Sequence, residues 1–457
     1  MAFRVSIDPN RNIDHAYEQY ILGRGKSVTG AISKFEETLQ QSFFKFGRFT
    51  IPAFFKAHFI SRKQQRLLHG VGDTIAHTID KLIELYLTEP VIKNLYPLSL
   101  EAEELIRIDP GYTRSAILCR LDCFLEGEAV QFLEFDCDAP GGMAYADTLE
   151  KIYFDQNELK EFFAEFDFER RVRCEKLLSA LLNIYEEFGG FETPRIAIVD
   201  WNNVRTRSEF EVLKTFFEEK GYSTTIADPR DLRYKSGKLY HGNFRIDLVY
   251  RRVLFRELVE KMEDVKDLLK AYKDKAVCVV NPLRSAVGAS KAMLSVLTNP
   301  AYDHFFTEKQ NAIKREHIPW TRNVTDADRF FGGKKIYLVD FLKDEKDTLV
   351  IKPPYGYGGK DVTIGCETRN EDWNAAIDKA IKSNWTVQEY IKPAKMSVPV
   401  VINNKVEFVL KKMSTGCYVF DGSYAGSVSR LSDESVIKVS KGGGLIPSVT
   451  CEGEINR

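Results

Sequence analysis

Two groups of residues in this chain have the types and spacing for phosphate chemistry. The first is a set of carboxylates around one arginine: Arg120-x-Asp122, then Glu134-x-Asp136-x-Asp138. Side chains two apart on a strand share a face, and so do residues paired across strands. Carboxylates held side by side repel unless a cation sits among them. Hard oxygen donors left partly hydrated suit Mg²⁺, which keeps waters and takes substrate phosphates as further ligands. Arg120 can offset part of the charge or stabilise an oxyanion. A solvated strand face of alternating charge is the plainer alternative.

The second group is Lys352-Pro-Pro-Tyr-Gly-Tyr-Gly-Gly-Lys-Asp-Val362, whose glycines are Gly356, Gly358 and Gly359. Glycine lets backbone N–H groups approach an anion closely, and Lys352 adds a point charge beside them. Strand-like runs on both sides, Leu349-Val-Ile351 and Val362-Thr-Ile364, make it a glycine hairpin over phosphates, or a hairpin turn with spare glycines. It is not a G-x-x-x-x-G-K-[ST] loop opening a helix. Three more segments gain meaning only from these two. They are Lys291 in Ser290-Lys-Ala-Met-Leu294, the strand end Trp385-Thr-Val-Gln-Glu-Tyr-Ile391, and Arg430 after a run of small residues. A lone helical lysine is ordinarily a surface residue. The strand end, read by itself, is a place where backbone N–H and C=O groups could hold a base.

The elements that must position these groups can be read from periodicity. Residues 1–110 are expected to be helical, with apolar residues at three- and four-residue intervals in Ala31–Leu39 and Gln65–Leu85. Between them, residues 43–59 are dense in phenylalanine and cations, either a core or subunit contact or a membrane or partner surface. Residues 115–138 are expected to form a hairpin. If its turn centres on Gly127, Arg120 lies opposite Glu134 and Asp122 opposite Phe132, which would put Phe132 on the carboxylate face. A helical stretch should cover Leu149 to about Gly189. Strands at 194–200, 223–228 and 246–252 around a helix at 208–220 predict a small parallel α/β unit of Rossmann-like build, in which Asp247, Arg251 and Arg252 form salt bridges or meet a substrate carboxylate. A strand at Val277–Val280 is assigned to the part that follows.

The chain has 457 residues, 44% hydrophobic and 29% charged, long for a single core. A net charge of -1 and a pI near 6.7 give no overall attraction to nucleic acid or anionic membranes, and leave room only for local basic patches. There is no long apolar run for a membrane span and no signal-peptide pattern at the N-terminus. Eight cysteines without a CxxC pair predict reduced thiols and a cytoplasmic location.

In their order and spacing these motifs resemble the circularly permuted ATP-grasp enzymes, and in particular the glutathionylspermidine synthase-like group. The resemblance rests on Arg120-x-Asp122, Leu133-Glu-Phe-Asp136-x-Asp138-x-Pro140, Ser290-Lys291-Ala-Met-Leu, Val350-Ile-Lys352-Pro, the Gly356–Gly359 loop and Val387-Gln-Glu-Tyr-Ile391, and covers about residues 110–430. The carboxylates precede the glycine loop, which is what looks permuted. The resemblance implies an α+β fold: a helical region (1–110), a permuted ATP-grasp part with the metal carboxylates (111–190), a Rossmann-like pre-ATP-grasp unit (191–275) and a nucleotide-binding part (276–457).

For the residues, the same resemblance implies that Lys291, Lys352 and the Gly356, Gly358 and Gly359 backbone meet ATP phosphates. The strand end Gln388, Glu389, Tyr390 and Ile391 would meet adenine, with the backbone of Glu389 and Ile391 holding the base. Asp122, Glu134 and Asp136 would bind two Mg²⁺ ions. Arg120 would stabilise an acyl-phosphate or tetrahedral intermediate, and Arg430 the γ-phosphate. The activity implied is ATP-dependent joining of a small-molecule or peptide carboxylate to an amine, with no nucleic-acid partner. A phosphotransferase and a non-catalytic ATP-binding module are the alternatives. Asp136 departs from the family, where asparagine is common.

Overall fold

The computed structural model describes residues 9–356, 359–437, 439 and 443–452. Its largest sheet has eight strands, six of them in the order His58–Ser61, Gly444–Glu452, Ser423–Ser432, Lys405–Phe420, Leu118–Glu126 and Ala129–Asp136. Two further strands join it, Ala394–Ile402 beside Lys405–Phe420 and Asp167–Glu169 beside Gly444–Glu452. One face of this sheet is covered by the long helix Arg62–Thr88. The capping box of Ser61 and Gln64 starts that helix, and its buried stripe Leu68, Val71, Ile75, Ile79 and Leu82 meets Leu121, Cys123, Cys417 and Val419. The periodicity in the sequence therefore marks a helix that backs the carboxylate strand.

A second sheet is parallel throughout, in the order Cys278–Val280, Leu248–Arg251, Ile196–Val199, Thr224–Ala227. Its strands read as continuous apolar runs because helices cover them. The strand at 277–280, read from sequence with the segment that follows, is hydrogen-bonded into this sheet through Leu248–Tyr250. Three residues of plain apolar character carry no record of which sheet they join.

A third, antiparallel sheet has the order Thr321–Asn323, Thr386–Glu389, Leu349–Lys352, Thr363–Ile364. Leu349, Ile351 and Val387 face a core closed by Trp373 of the helix Asn370–Lys382. Strand alternation then turns Lys352 and Gln388 to the opposite face. The stretch from Leu149 to Gly189 is not one helix. The helix Met143–Phe154 starts right after Gly142, the strand Asp167–Glu169 interrupts, and the helix Arg173–Glu187 follows.

Candidate active site

The carboxylate hairpin Leu118–Glu126/Ala129–Asp136 forms as expected, but in a different register. Its turn pairs Glu126 with Ala129, and a bulge between the Asp122/Glu134 and Cys123/Phe132 pairs inserts Leu133 as an extra residue. As a result Asp122 lies opposite Glu134, Arg120 lies opposite Asp136, and Phe132 turns to the core with Cys123. Phe132 therefore does not line the carboxylate face. A centre placed on Gly127 alone could not anticipate this, because Gly127 and Glu128 together form a two-residue turn and nothing in the local sequence marks the bulge. Arg120, Asp122, Glu134 and Asp136 do share one face: alternation groups them two by two, and the bulge at Leu133 turns the second two to the face of the first.

Each carboxylate on that face is engaged by a cation. Arg120 grips Asp122 with two N–H groups, Nε to Oδ1 at 2.8 Å and Nη2 to Oδ2 at 3.1 Å, and comes within 3.5 Å of Asp136. Arg430 Nη2 lies 2.6 Å from Asp122 Oδ1. Lys291 Nζ lies 3.0 Å from Glu134 Oε2. Burial raises the Asp122 carboxyl, but Arg120 and Arg430 outweigh it and hold it well below the usual carboxylate range. Burial pushes Asp136 up, partly opposed by Arg120.

How Arg430 reaches Asp122 depends on a residue that sequence reading passed over. Arg430 stands on Ser423–Ser432, and the strand Lys405–Phe420 lies between it and the carboxylate hairpin. Gly416 of that middle strand pairs with Asp122 on one side and Val428 on the other. A Cβ at Gly416 would sit 3.0 Å from Arg120 Cδ and 3.1 Å from Asp122 Oδ1. A side chain at Gly416 would press on the Arg120–Asp122 pair that Arg430 also meets. The signal in the sequence was a glycine inside a strand pattern, which often marks a close approach.

The third sheet supplies the opposing wall. Lys352 is 9% exposed, and its Nζ donates to Gln388 Oε1 at 2.6 Å. Gln388 Nε2 donates in turn to Thr321 Oγ1 at 3.0 Å and points at the carbonyl of the bulge residue Leu133 at 3.5 Å. Burial lowers Lys352 to about 8, with Glu134 opposing and Lys291 adding to the shift. Lys291 is buried rather than a surface residue. Its Nζ also donates to the Gly356 carbonyl at 3.2 Å, and its backbone N–H donates to Pro354 O at 2.9 Å. Gly356 has φ +154° and Gly359 φ +63°, the latter in left-handed backbone. Gly358 lies outside the described residues.

At the strand end, the Glu389 N–H donates to Trp320 O at 2.9 Å and the Tyr390 N–H to Thr348 O at 2.8 Å. Both N–H groups are thus spent inside the fold. Glu389, Tyr390 and Ile391 are half-buried where the strand runs out towards Lys392. The Gln388 side chain sits 1% exposed between Lys352 and Thr321 and acts on the lysine.

The loop Ala139–Gly142 is pinned to the parallel sheet. Arg251 donates to the carbonyls of Asn281 and Asp138 and pairs with Asp138 at 2.7 Å. Arg252 donates to the carbonyls of Ala139, at 2.7 Å, and Pro140. Buried Glu209 accepts the N–H of Gly142 at 2.6 Å, at the start of the helix Met143–Phe154. Asp247 binds Arg195 and Arg245. These residues brace the site, and the two buried arginines belong to structural contacts. The braced loop returns to the site, where the Gly141 carbonyl accepts from Arg120 and Tyr418, each at 3.2 Å.

Among the described residues no group of three His, Cys, Asp or Glu side chains is gathered closely enough to hold a metal ion. Asp122 and Glu134 nevertheless stand opposite one another on one face, and hard carboxylate oxygens are the donors Mg²⁺ takes. The donor chemistry fits the ion; the cations now bound to these carboxylates would have to give way to it. Four cations, Arg120, Lys291, Lys352 and Arg430, surround three carboxylates, an excess suited to an anionic ligand.

No sequence-family description matches this chain, and no curated protein matches it. Solved structures do. The fold is similar to that of a glutathione synthetase like-effector from Globodera pallida, with a TM-score of 0.61 at 10% identity, covering 92% of this chain and 96% of that one. A putative gamma-glutamylcysteine synthetase from Methylobacillus flagellatus aligns at a TM-score of 0.41 and 11% identity over 80% of this chain and 84% of its own, too low to bear on function. The likeness to the first is one of fold: a mixed α/β chain with several sheets.

Proposed function

We propose that this chain is an ATP- and Mg²⁺-dependent carboxylate–amine ligase of ATP-grasp type, in the permuted arrangement resembling glutathionylspermidine synthases. The observation that carries the reading is the facing of two buried lysines, Lys291 and Lys352, against the carboxylate hairpin, with Lys291 bonded both to Glu134 and to the glycine hairpin. Lys291, Lys352 and the backbone of Gly356, Gly358 and Gly359 hold the triphosphate. The Glu389 carbonyl and the Ile391 N–H take the base, in keeping with the Glu389 N–H being already bonded to Trp320. Asp122, Glu134 and Asp136 hold Mg²⁺, two ions in this reading, which when bound neutralises phosphate charge. Arg120 and Arg430 stabilise negative charge on the acyl group and the transferred phosphoryl. Chemistry of this kind asks the protein mainly for positioning and exclusion of water.

No helix among the described residues is long and apolar enough to cross a membrane, and the cysteines are free. A reducing, cytoplasmic setting and small-molecule or peptide substrates accord with this. The test is a screen of paired acids and amines for release of ADP and phosphate with ATP and Mg²⁺. Release that requires both an acid and an amine supports the ligase. A stable phosphorylated product formed without the amine would refute it in favour of a phosphotransferase.

A further inference from the structure

The aromatic and basic stretch 43–59 divides in two when folded. Phe44, Phe55 and Phe59 are buried in the core, and Lys56 is buried beside Asp14. Phe43, Phe46 and Phe49 are not: they are 60%, 44% and 65% exposed. Phe46 and Phe49 are directly paired across a minimal ribbon, Lys45–Phe46 against Phe49–Thr50, that turns at Gly47 (φ +66°) and Arg48. The ribbon is fastened at its base. The Lys45 carbonyl accepts from Ser208 Oγ at 2.6 Å and Tyr145 Oη at 2.7 Å, and the Gly47 N–H donates to Arg205 O at 2.6 Å. It is a fastened, exposed ribbon whose tip carries phenylalanine rings.

Its charge is one-sided. From Thr38 to Gly72 the sequence has no aspartate or glutamate, nor has the adjoining loop 201–208, which brings Arg205 and Arg207. Arg207 is paired with Glu211, and the next acid along that loop, Glu209, is buried and turned to Gly142. Arg48 and Arg205 thus stand against the rings, with Lys45 next to Phe46 along the ribbon. The Arg48 guanidinium lies 4.9 Å from the Phe49 centroid and that of Arg205 5.8 Å from the Phe46 centroid. With guanidinium groups over the ring faces, the ring edges are the apolar surface the tip offers. Ring edges at the tip of a projection, ringed by cations, match the boundary between acyl chains and anionic headgroups.

We infer that the Phe43–Phe49 projection seats the protein on an anionic lipid surface, the rings entering the headgroup–acyl boundary and Lys45, Arg48 and Arg205 meeting the headgroups. The full chain should co-sediment with phosphatidylcholine vesicles that contain phosphatidylserine, much less with phosphatidylcholine alone, and lose binding as salt rises. The Phe46→Ser/Phe49→Ser variant should bind at least about tenfold more weakly. Arg48→Glu, which keeps every ring, should lose about fivefold or more. Wild-type protein that stays in the supernatant, or variants that sediment equally well, would overturn the inference. So would wild-type dimerisation without vesicles that the serine variant abolishes, which would make the face a protein interface. Capture of a single-stranded oligonucleotide in place of vesicles would overturn it too.

Discussion

Replacing Gly416 with alanine isolates one contact on which the proposed site depends. Gly416 lies outside left-handed backbone, so alanine adds no backbone strain, and the added methyl group is the whole perturbation. That methyl would stand 3.0 Å from Arg120 Cδ, 3.1 Å from Asp122 Oδ1 and 3.4 Å from Arg120 Cγ, so the neighbours must give by a few tenths of an ångström. Overpacking of this kind costs about 1–3 kcal/mol. In a chain this long that lowers the melting temperature by only a few degrees, on the scale of about 2–4 °C per kcal/mol seen in smaller domains. The chemistry should respond as well. Arg120 and Arg430 close on one carboxylate across Gly416, and a 1 Å misplacement can cost about 10²-fold in rate. For a shift of a few tenths of an ångström this scales to about 3- to 10-fold, so turnover measured as phosphate release should fall by that much while the fold persists. Gly70→Ala, at a helical position with nothing within 4 Å, provides a control expected to keep full activity and gain about 0.5–1 kcal/mol. Gly416→Ala protein with unaltered turnover would refute the argument that this gap shapes the site.

Further outcomes follow from the same geometry. Glu134→Gln should remove Mg²⁺-dependent turnover with the circular dichroism spectrum unchanged; activity within a few-fold of wild type would rule out a ligand role. Arg120→Ala should lower turnover far more than ATP affinity by calorimetry, and the opposite split would reassign Arg120 to nucleotide binding. Lys352→Met should weaken ATP binding strongly, and unaltered affinity would contradict its placement at the phosphates. The same variant reads the lysine's protonation. Burial lowers Lys352 to about 8 in the fold from an unfolded value of 10.5, so the unfolded chain binds more protons between these values. The penalty of the buried charge is then complete below pH 8 and is relieved as pH rises towards 10.5. The stability advantage of Lys352→Met over wild type should shrink across that window in urea titrations. A constant difference would show that Lys352 is not desolvated.

Elements with a strong period were legible in the sequence. The helix containing Gln65–Leu85, the hairpin around Gly127 and the parallel strands near 196, 224 and 248 all form, because burial of one face enforces the period. Lys291 was legible only by resemblance, since nothing local separates a buried lysine from a solvated one. Its burial comes from the Pro354 and Gly356 carbonyls, which lie far along the chain. Arg251 and Arg252 left two readings open, and the structure gives the bracing one, since both are buried against carbonyls of the Asp138–Pro140 segment and of Asn281–Pro282.

By itself the sequence determined which side chains carry charge and which of them share a strand face. It therefore grouped Arg120 with Asp122 and Glu134 with Asp136, and set Lys352 beside a glycine hairpin. Tertiary structure decided the partners. The two-residue turn set Phe132 against inward-facing Cys123, and the bulge at Leu133 brought Glu134 opposite Asp122 and Asp136 opposite Arg120. Gly416 opened the gap through which Arg430 reaches Asp122, and Gln388 fastened Lys352 between sheets. The division has a physical cause. Alternation is set by the local geometry of a strand, whereas a bulge, a missing side chain or a buried hydrogen bond takes effect only once another strand is packed against it.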